Sequence, residues 1–260
     1  MTNTSTYPST RLIVLQGPVN FRDLGGYESH LGGSLRWRQL FRSDGLDCLT
    51  SADRAVLLEE LTLASVIDLR AAEELQTNGC VALDLPSLAF HHVPIVDETR
   101  SMIVQSLAGV SLAESYLVML EQARERLVSA LRLIARADAP MVFHCAAGKD
   151  RTGLVAALVL SLLGVSDHDI ADDYAASAAA IPALRARWDA KLRDLPEDHE
   201  LRVRYAGYEA AAAEMLSARP TTMLTVLSAL NAQYDSVAGW AFEHGLSQGD
   251  AQRLRSRLLV

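Results

Sequence analysis

The sequence predicts an α/β protein in which a central, mostly parallel sheet is flanked by helices. Three observations lead there. Short, β-branched apolar runs such as Ala64-Ser65-Val66-Ile67 end in polar residues, as strands of a buried parallel sheet do. Longer stretches with apolar residues at helical spacing separate those runs. Half of the 260 residues are apolar and 22% are charged, enough apolar surface to offset chain entropy and build one sizeable core. One domain over 1–260 is expected, with a helical insertion over 165–220.

After a polar lead, Leu12 to Leu15 reads as a short strand, and the chain then turns at Gly25-Gly26, where paired glycines suit a backbone needing positive φ. Leu35 to Phe41 alternates imperfectly with Arg36, Arg38 and Gln39, which predicts a strand near a sheet edge. Thr50 or Ser51 caps a helix running through Leu61. Ala64 to Arg70 is a buried strand with a polar pair at its end, and Phe90 to Ile95 is a second, followed by Asp97. From Ala113 to Ala137, Tyr116, Leu120, Leu127, Leu131 and Ile134 recur as in one long amphipathic helix, which Pro140 ends. Met141-Val142-Phe143 is a third strand, and Leu154 to Val165, apolar all round, is a helix buried in the core. Residues 167–218 read as several short helices with breaks at Pro182 and Pro196. Three more follow over Thr221 to Asn231, Ser236 to His244 and Ser247 to Leu259, the last opened by Ser247 and Asp250 as an approximate capping box.

A net charge of −8 argues against a chain that wraps nucleic acid, while leaving room for a local anion site. The longest apolar run, Leu154 to Leu163 with Ser161 inside it, falls short of the ~20 residues that cross a bilayer, so no transmembrane segment is expected. Met1 to Gly17 lacks a basic stretch ahead of an apolar core. A cytoplasmic location is expected, with secretion by a route lacking an ordinary signal peptide left open. Cys48, Cys80 and Cys145 are odd in number, without CxxC spacing or a histidine at zinc-ligand distance. Neither a disulfide scaffold nor a metal or other cofactor is expected.

Between the third strand and the buried helix lies His144-Cys145-Ala146-Ala147-Gly148-Lys149-Asp150-Arg151-Thr152-Gly153. A thiol at a strand end, with Ala146 through Arg151 curling toward a helix N-terminus, makes an anion cradle: backbone N–H groups turn inward and the helix dipole reinforces them. Its size suits one phosphate or sulfate ion, with Cys145 at the base and the Arg151 fork gripping two oxygens. The same donors stabilise a sulfur anion. This arrangement predicts phosphoryl transfer through a phosphocysteine on Cys145, with Arg151 and the loop amides stabilising the transferred group. His144 is expected to fix the sulfur through backbone hydrogen bonds, and Thr152 to assist it as a leaving group.

The run His144-Cys145, five residues, Arg151-Thr152 resembles the signature of the protein tyrosine phosphatase superfamily. Asn20 to Gly26, Arg42-Ser43-Asp44, Asp68-Leu69-Arg70 and the C-terminal helices are similar to its bacterial branch, which includes a mycobacterial secreted phosphatase and lipid-active enzymes. The resemblance implies a phosphatase-like fold, a helical lid within 165–220, and phosphotyrosine substrates, with phosphoserine, phosphothreonine or a phosphoinositide headgroup as further ones. Lipid-active members carry lysines directly after the cysteine and two residues before the arginine; here Ala146 fills the first position and Lys149 the second. Three aspartates compete as general acid. Asp150 and Asp68 rank ahead of Asp97, which follows a strand without the Trp-Pro-Asp pattern of the superfamily's mobile acid loop.

Plainer readings stand beside these. Cys48 and Cys80 are expected to be small buried hydrophobes. Asp68 and Arg70 also read as an ion pair that orders a strand end, and Arg22 and Asp23 are expected to brace the glycine turn. The whole cradle is also compatible with a catalytically inactive phosphate-binding module or with a sulfurtransferase.

Overall fold

In the computed structural model, five short strands make one sheet: β1 (Arg22–Asp23), β2 (Leu40–Ser43), β3 (Ser65–Asp68), β4 (Ala89–His92) and β5 (Met141–His144). Their order is β1-β2-β5-β3-β4, with only the β1–β2 pair antiparallel. The mostly parallel α/β sheet predicted from the sequence is therefore what forms. The structure describes residues 10–81, 85, 87–95, 110–194, 196–197 and 217–260.

Side chains alternate across the strands and so divide the core in two. Leu40, Ile67, Met141 and Phe143 join the larger cluster on one face. Phe41, Val66 and Val142 join a smaller one on the other, with Phe21, Leu46 and Leu57. The larger face is covered by helices α3 (Leu112–Gln122), α4 (Arg124–Arg136), α5 (Asp150–Leu162), α6 (Asp167–Ala175), α8 (Pro220–Tyr234), α9 (Val237–Glu243) and α10 (Gln248–Leu258). The smaller face receives α1 (Ser51–Ala55), which widens into a π turn over Val56–Glu60. Its cap is Thr50, in a full capping box with Asp53, and the Asp53 carboxylate also accepts from the backbone N–H groups of Gln16 and Gly17. The short α2 (Ala72–Asn78) follows β3, and α7 (Ile181–Arg193) starts with Pro182 in its first turn. There the ring lacks only a hydrogen bond that the first turn would not make, so Pro182 opens a helix.

Four expectations need correction. Leu12 makes an isolated antiparallel bridge to Arg22, and no strand spans Leu12 to Leu15. The strand expected over Leu35 to Phe41 begins only at Leu40 and lies inside the sheet, because a turn at Trp37 and Arg38 interrupts it: Arg38 takes a positive φ of 59° and its N–H is held by Asp23 (2.7 Å), while Leu35 ahead of the turn makes only an isolated bridge to Leu259. Phe90 to Ile95 shortens to Ala89–His92 and is an edge strand whose side chains are partly exposed. The long helix bends at Ala123 (φ −106°) into α3 and α4, although backbone bonds from Ala123 to Met119 and from Leu127 to Ala123 carry the hydrogen bonding through the bend.

Helix α5 is buried from Arg151 to Leu160 and follows β5 directly, so it fixes the loop between them. Leu158→Ala, at a site only 1% exposed, is expected to cost about 2–5 kcal/mol. Urea unfolding should show a lower midpoint with an unchanged m-value.

Candidate active site

The parallel register aligns Ser43, His144 and Asp68 at the carboxyl ends of three neighbouring strands, where open α/β sheets present their ligand sites. From His144 the chain curls through Cys145 to Lys149 and enters α5 at Asp150. Each carbonyl along the curl is tied to something outside it. The Cys145 carbonyl lies 3.2 Å from the His144 Nδ1. The Ala146 carbonyl accepts from the Gly45 N–H (3.0 Å), that of Ala147 from the Asn20 amide (3.0 Å), and that of Gly148 from Arg42 Nη2 (2.8 Å). In a planar trans peptide the N–H lies opposite the C=O. The N–H groups of Ala146, Ala147, Gly148 and Lys149 therefore turn away from these anchors, toward the centre of the curl. Gly148 makes this curvature possible: its φ is +67°, and a Cβ there would stand 2.5 Å from the Ser43 carbonyl oxygen.

Cys145 is 1% exposed at the base of the curl. The Arg151 guanidinium, also buried, is held by Glu74 in a two-pronged pair, with Nη1 2.5 Å from Oε2 and Nη2 2.9 Å from Oε1. Burial works against the arginine's charge, but the Glu74 bonds outweigh it and hold Arg151 above its ordinary value. Glu74 is itself fixed, since Oε2 accepts the Ala71 N–H at the start of α2. Nothing local in the sequence marked Glu74; its position three residues into a helix after the Asp68-Leu69-Arg70 run was the available signal. The Thr152 hydroxyl is buried and has no hydrogen-bond partner among the described residues.

The candidate acids differ sharply. Asp68 is fully buried and accepts from three donors of Arg70: its backbone N–H, its Nε, shared between both carboxylate oxygens, and its Nη2. Burial pushes Asp68 upward, but His144 and Arg70 outweigh it and hold its carboxyl below the ordinary value. The carboxylate of Asp150 is a quarter exposed, at 26%, and accepts from the Lys149 ammonium (2.6 Å) and the Tyr116 hydroxyl (2.5 Å). Tyr116 in turn lies 2.9 Å from the Tyr174 hydroxyl, and Lys149 Nζ sits about 6 Å from both rings. The Lys149 cation is thus built into a cluster with α3 and α6. Asp97 lies outside the described residues. Of the turn residues, Asp23 accepts from the Gly25 N–H as expected, whereas Arg22 reaches across to α6.

Beside Ala146 a cleft opens between the Gly45–Cys48 segment and α7, walled by Arg70, Arg187, Trp188 and Lys191. Cys48 lines it and is half-buried, its thiol pushed up to about 11 by burial. Arg187 bonds Asp44 and the Gly17 carbonyl, and Lys191 bonds Asn78. Among the described residues, no three His, Cys, Asp or Glu side chains gather as metal ligands, and no helix is long and apolar enough to cross a membrane.

A buried cysteine inside an amide-lined curl, on a mostly parallel sheet, fits the comparison with known families. The chain belongs to the Tyrosine phosphatase family, whose model matches residues 13–260. Among its relatives is the "Triple specificity protein phosphatase PtpB" of Mycobacterium tuberculosis, 28% identical across 94% of this chain and 98% of that one. A "Tyrosine-protein phosphatase" of Nostoc commune is 30% identical across 84% of this chain and 73% of its own length. Two solved structures are more distant. The catalytic core of the S. cerevisiae PP-IP phosphatase SIW14 is 21% identical with a TM-score of 0.40, covering 75% of this chain and 96% of that one. P. aeruginosa TpbA, solved with phosphotyrosine, is 18% identical with a TM-score of 0.32, covering 54% of this chain and 70% of that one.

Two outcomes follow from the geometry. Gly148→Ala strains the curl and pushes it off Ser43, and misplacement on the scale of an ångström costs about a hundredfold in kcat/KM; steady-state kinetics on an aryl phosphate, beside a thermal melt to show that the fold survives, check this. His144 is fully buried, and that burial lowers its pKa against the pull of Asp68. The unfolded chain therefore binds a proton there that the folded chain does not. Stability should fall as pH drops from about 6.5 toward the lowered folded value and show no further His144 contribution below it. NMR titration of the imidazole and denaturant midpoints across that range test the sign.

Proposed function

We propose that this phosphatase hydrolyses phosphotyrosine through a phosphocysteine on Cys145. The observation that carries the reading is the outward anchoring of the loop carbonyls, which aims four amide N–H groups at the space over the buried sulfur. The Cys145 sulfur attacks phosphorus, an S–P bond forms and the P–O ester bond breaks. The amides and the Arg151 N–H groups not engaged by Glu74 bind the equatorial oxygens. Asp150, which takes up a proton when the phosphate dianion binds beside it, gives that proton to the departing oxygen. Water then attacks phosphorus, its proton returns to Asp150, and the S–P bond breaks to release phosphate, with the buried Thr152 hydroxyl donating to the sulfur as it leaves. Both aspartates are ion-paired, and Asp150 is preferred to Asp68 because Asp68 is sealed from solvent whereas the Asp150 side chain is a quarter exposed and adjoins Arg151 in the chain. His144 supports the loop through its contact with the Cys145 carbonyl.

For substrate choice, a deep sulfur and an adjoining cleft with a partly exposed Trp188 favour an aryl phosphate. The mycobacterial relative's name states triple specificity, and the cations Arg187 and Lys191 give phosphoserine, phosphothreonine or phosphoinositide substrates a second place. Both cations already have partners, which ranks these esters behind phosphotyrosine.

Cys145→Ser is expected to cut hydrolysis of p-nitrophenyl phosphate by at least about a thousandfold. Hydrolysis that survives this change would overturn the mechanism. Binding of phosphate without turnover by the wild type would make the chain an inactive module, and turnover of thiosulfate in place of the ester would make it a sulfurtransferase. Asp150→Asn is expected to cost an alkyl phosphate about a hundredfold and an aryl phosphate less, because a phenolate leaves without needing the proton as much; a larger loss in Asp68→Asn on the same pair of substrates would transfer the role.

A further inference from the structure

Asp173 lies on α6, outside every motif of the site, and is 3% exposed. Its carboxylate pairs with two arginines from the opposite end of the chain: Oδ1 with Arg22 Nε (3.0 Å) and Oδ2 with Arg42 Nη1. The Tyr27 hydroxyl stands 3.4 Å from Oδ1, and Arg22 Nη2 also donates to the Asp173 carbonyl (2.8 Å) and to Ser177 (3.2 Å). Burial pushes Asp173 upward, but Arg22 and Arg42 outweigh it and hold the carboxyl below its ordinary value. Arg42, fully buried, is lowered to about 10 by burial and by the neighbouring Arg22, with Asp173 opposing both.

Both arginines continue into the cradle. Arg42 Nη2 donates to the Gly148 carbonyl. Arg22 Nη1 donates to the Asn20 side-chain oxygen (2.5 Å), and the Asn20 amide nitrogen donates to the Ala147 carbonyl. One carboxylate thus secures two arms, and each arm grips a carbonyl whose peptide N–H turns the opposite way, toward the centre of the curl. Buried ion pairs of this kind add little net stability against apolar replacements of similar volume, so stability alone does not account for three buried charges meeting at this spot.

We propose that Asp173 is a positioning residue for the phosphate cradle: by fixing Arg42 and the Arg22–Asn20 relay, it keeps the Gly148 and Lys149 amides turned toward the bound oxyanion. It touches neither substrate nor sulfur, and the inference rests on the phosphatase reading above. Removing its charge frees the arginines to find other acceptors and lets the two peptides rotate, which weakens oxyanion binding before it unfolds the chain.

The test uses the full chain and the Asp173→Asn variant. Orthovanadate, a tetrahedral oxyanion, is titrated calorimetrically, and alkylation of Cys145 by anionic iodoacetate is compared with alkylation by neutral iodoacetamide, read on the Cys145 peptide by mass spectrometry. Asp173→Asn is expected to raise the vanadate Kd at least tenfold, to lower kcat/KM in step, and to bring the iodoacetate preference down toward the neutral reagent. Asp173→Glu should recover part of each. The reagent ratio cancels changes in general exposure, so a merely structural role would not move it. A folded Asp173→Asn with wild-type vanadate affinity and wild-type ratio overturns the proposal. If that variant does not fold, Arg42→Lys and Asn20→Ala, each cutting one arm, are read in the same assays, and wild-type values in both overturn it equally. A wild type that neither binds vanadate nor hydrolyses the ester overturns the phosphatase reading itself.

Discussion

The site depends on which way four peptide planes face. Left to itself, a tight curl of backbone has no reason to aim its donors at one point, and the alternative rotation would aim carbonyl oxygens there and repel an anion. Here the choice is made from outside, by Gly45, Asn20 and Arg42 gripping the carbonyls of Ala146, Ala147 and Gly148. Gly148 permits it, since only a residue without a Cβ fits against Ser43 at positive φ. The surrounding elements can be understood as the supports of that orientation.

Those supports are charged and buried, in a chain whose net charge is −8. Arg42, Arg70 and Arg151 are all sealed from water, yet each has a carboxylate partner: Asp173, Asp68 and Glu74. Lys149 has Asp150. Pairing lowers the cost of removing these charges from solvent, and removing one partner alone would leave the other uncompensated. It also means that attraction for phosphate cannot come from an excess of loose cations around the loop. It comes from oriented N–H dipoles and from the edges of the Arg151 fork that Glu74 leaves open, and both act only on a guest of the right size in the right place. The apolar packing of α5 on β5 supplies the stability against which this polar construction is set.

What could be read from the sequence was local. His144 to Gly153 is one continuous stretch between a recognisable strand and a recognisable helix, so its shape follows from order along the chain. Asp68 and Arg70 are two residues apart at a strand end, and the ion pair that this spacing allows is observed. Glu74, Asp173, Tyr116 and Tyr174 escaped notice because they meet the loop only after folding: Glu74 is 77 positions from Arg151, and Asp173 is 131 from Arg42. Arg22 was legible as a turn residue but not as an arm of the cradle, since its partner is 151 positions away. Among the strands, β3 and β5 announce themselves because both faces are apolar. β2 was misplaced because the alternation from Leu35 to Phe41 looks like a strand, while the turn at Trp37 and Arg38, held by Asp23, cuts it in the middle.

That misplacement bears on the chemistry, because the register of β2 decides where Arg42 points. Leu40 packs into the larger core and Phe41 into the smaller, so the two apolar residues pin the strand from opposite faces. Arg42 then falls on the same side as Leu40, toward α5 and α6, where it reaches both Gly148 and Asp173. A slip of one residue would exchange the faces, driving Leu40 and Phe41 into the wrong clusters and turning Arg42 away from the loop. The sheet therefore protects the direction of the cradle's amides through ordinary hydrophobic side chains, and the preference of Leu40 and Phe41 for their own cores is as much a condition of phosphate binding as the hydrogen bonds themselves.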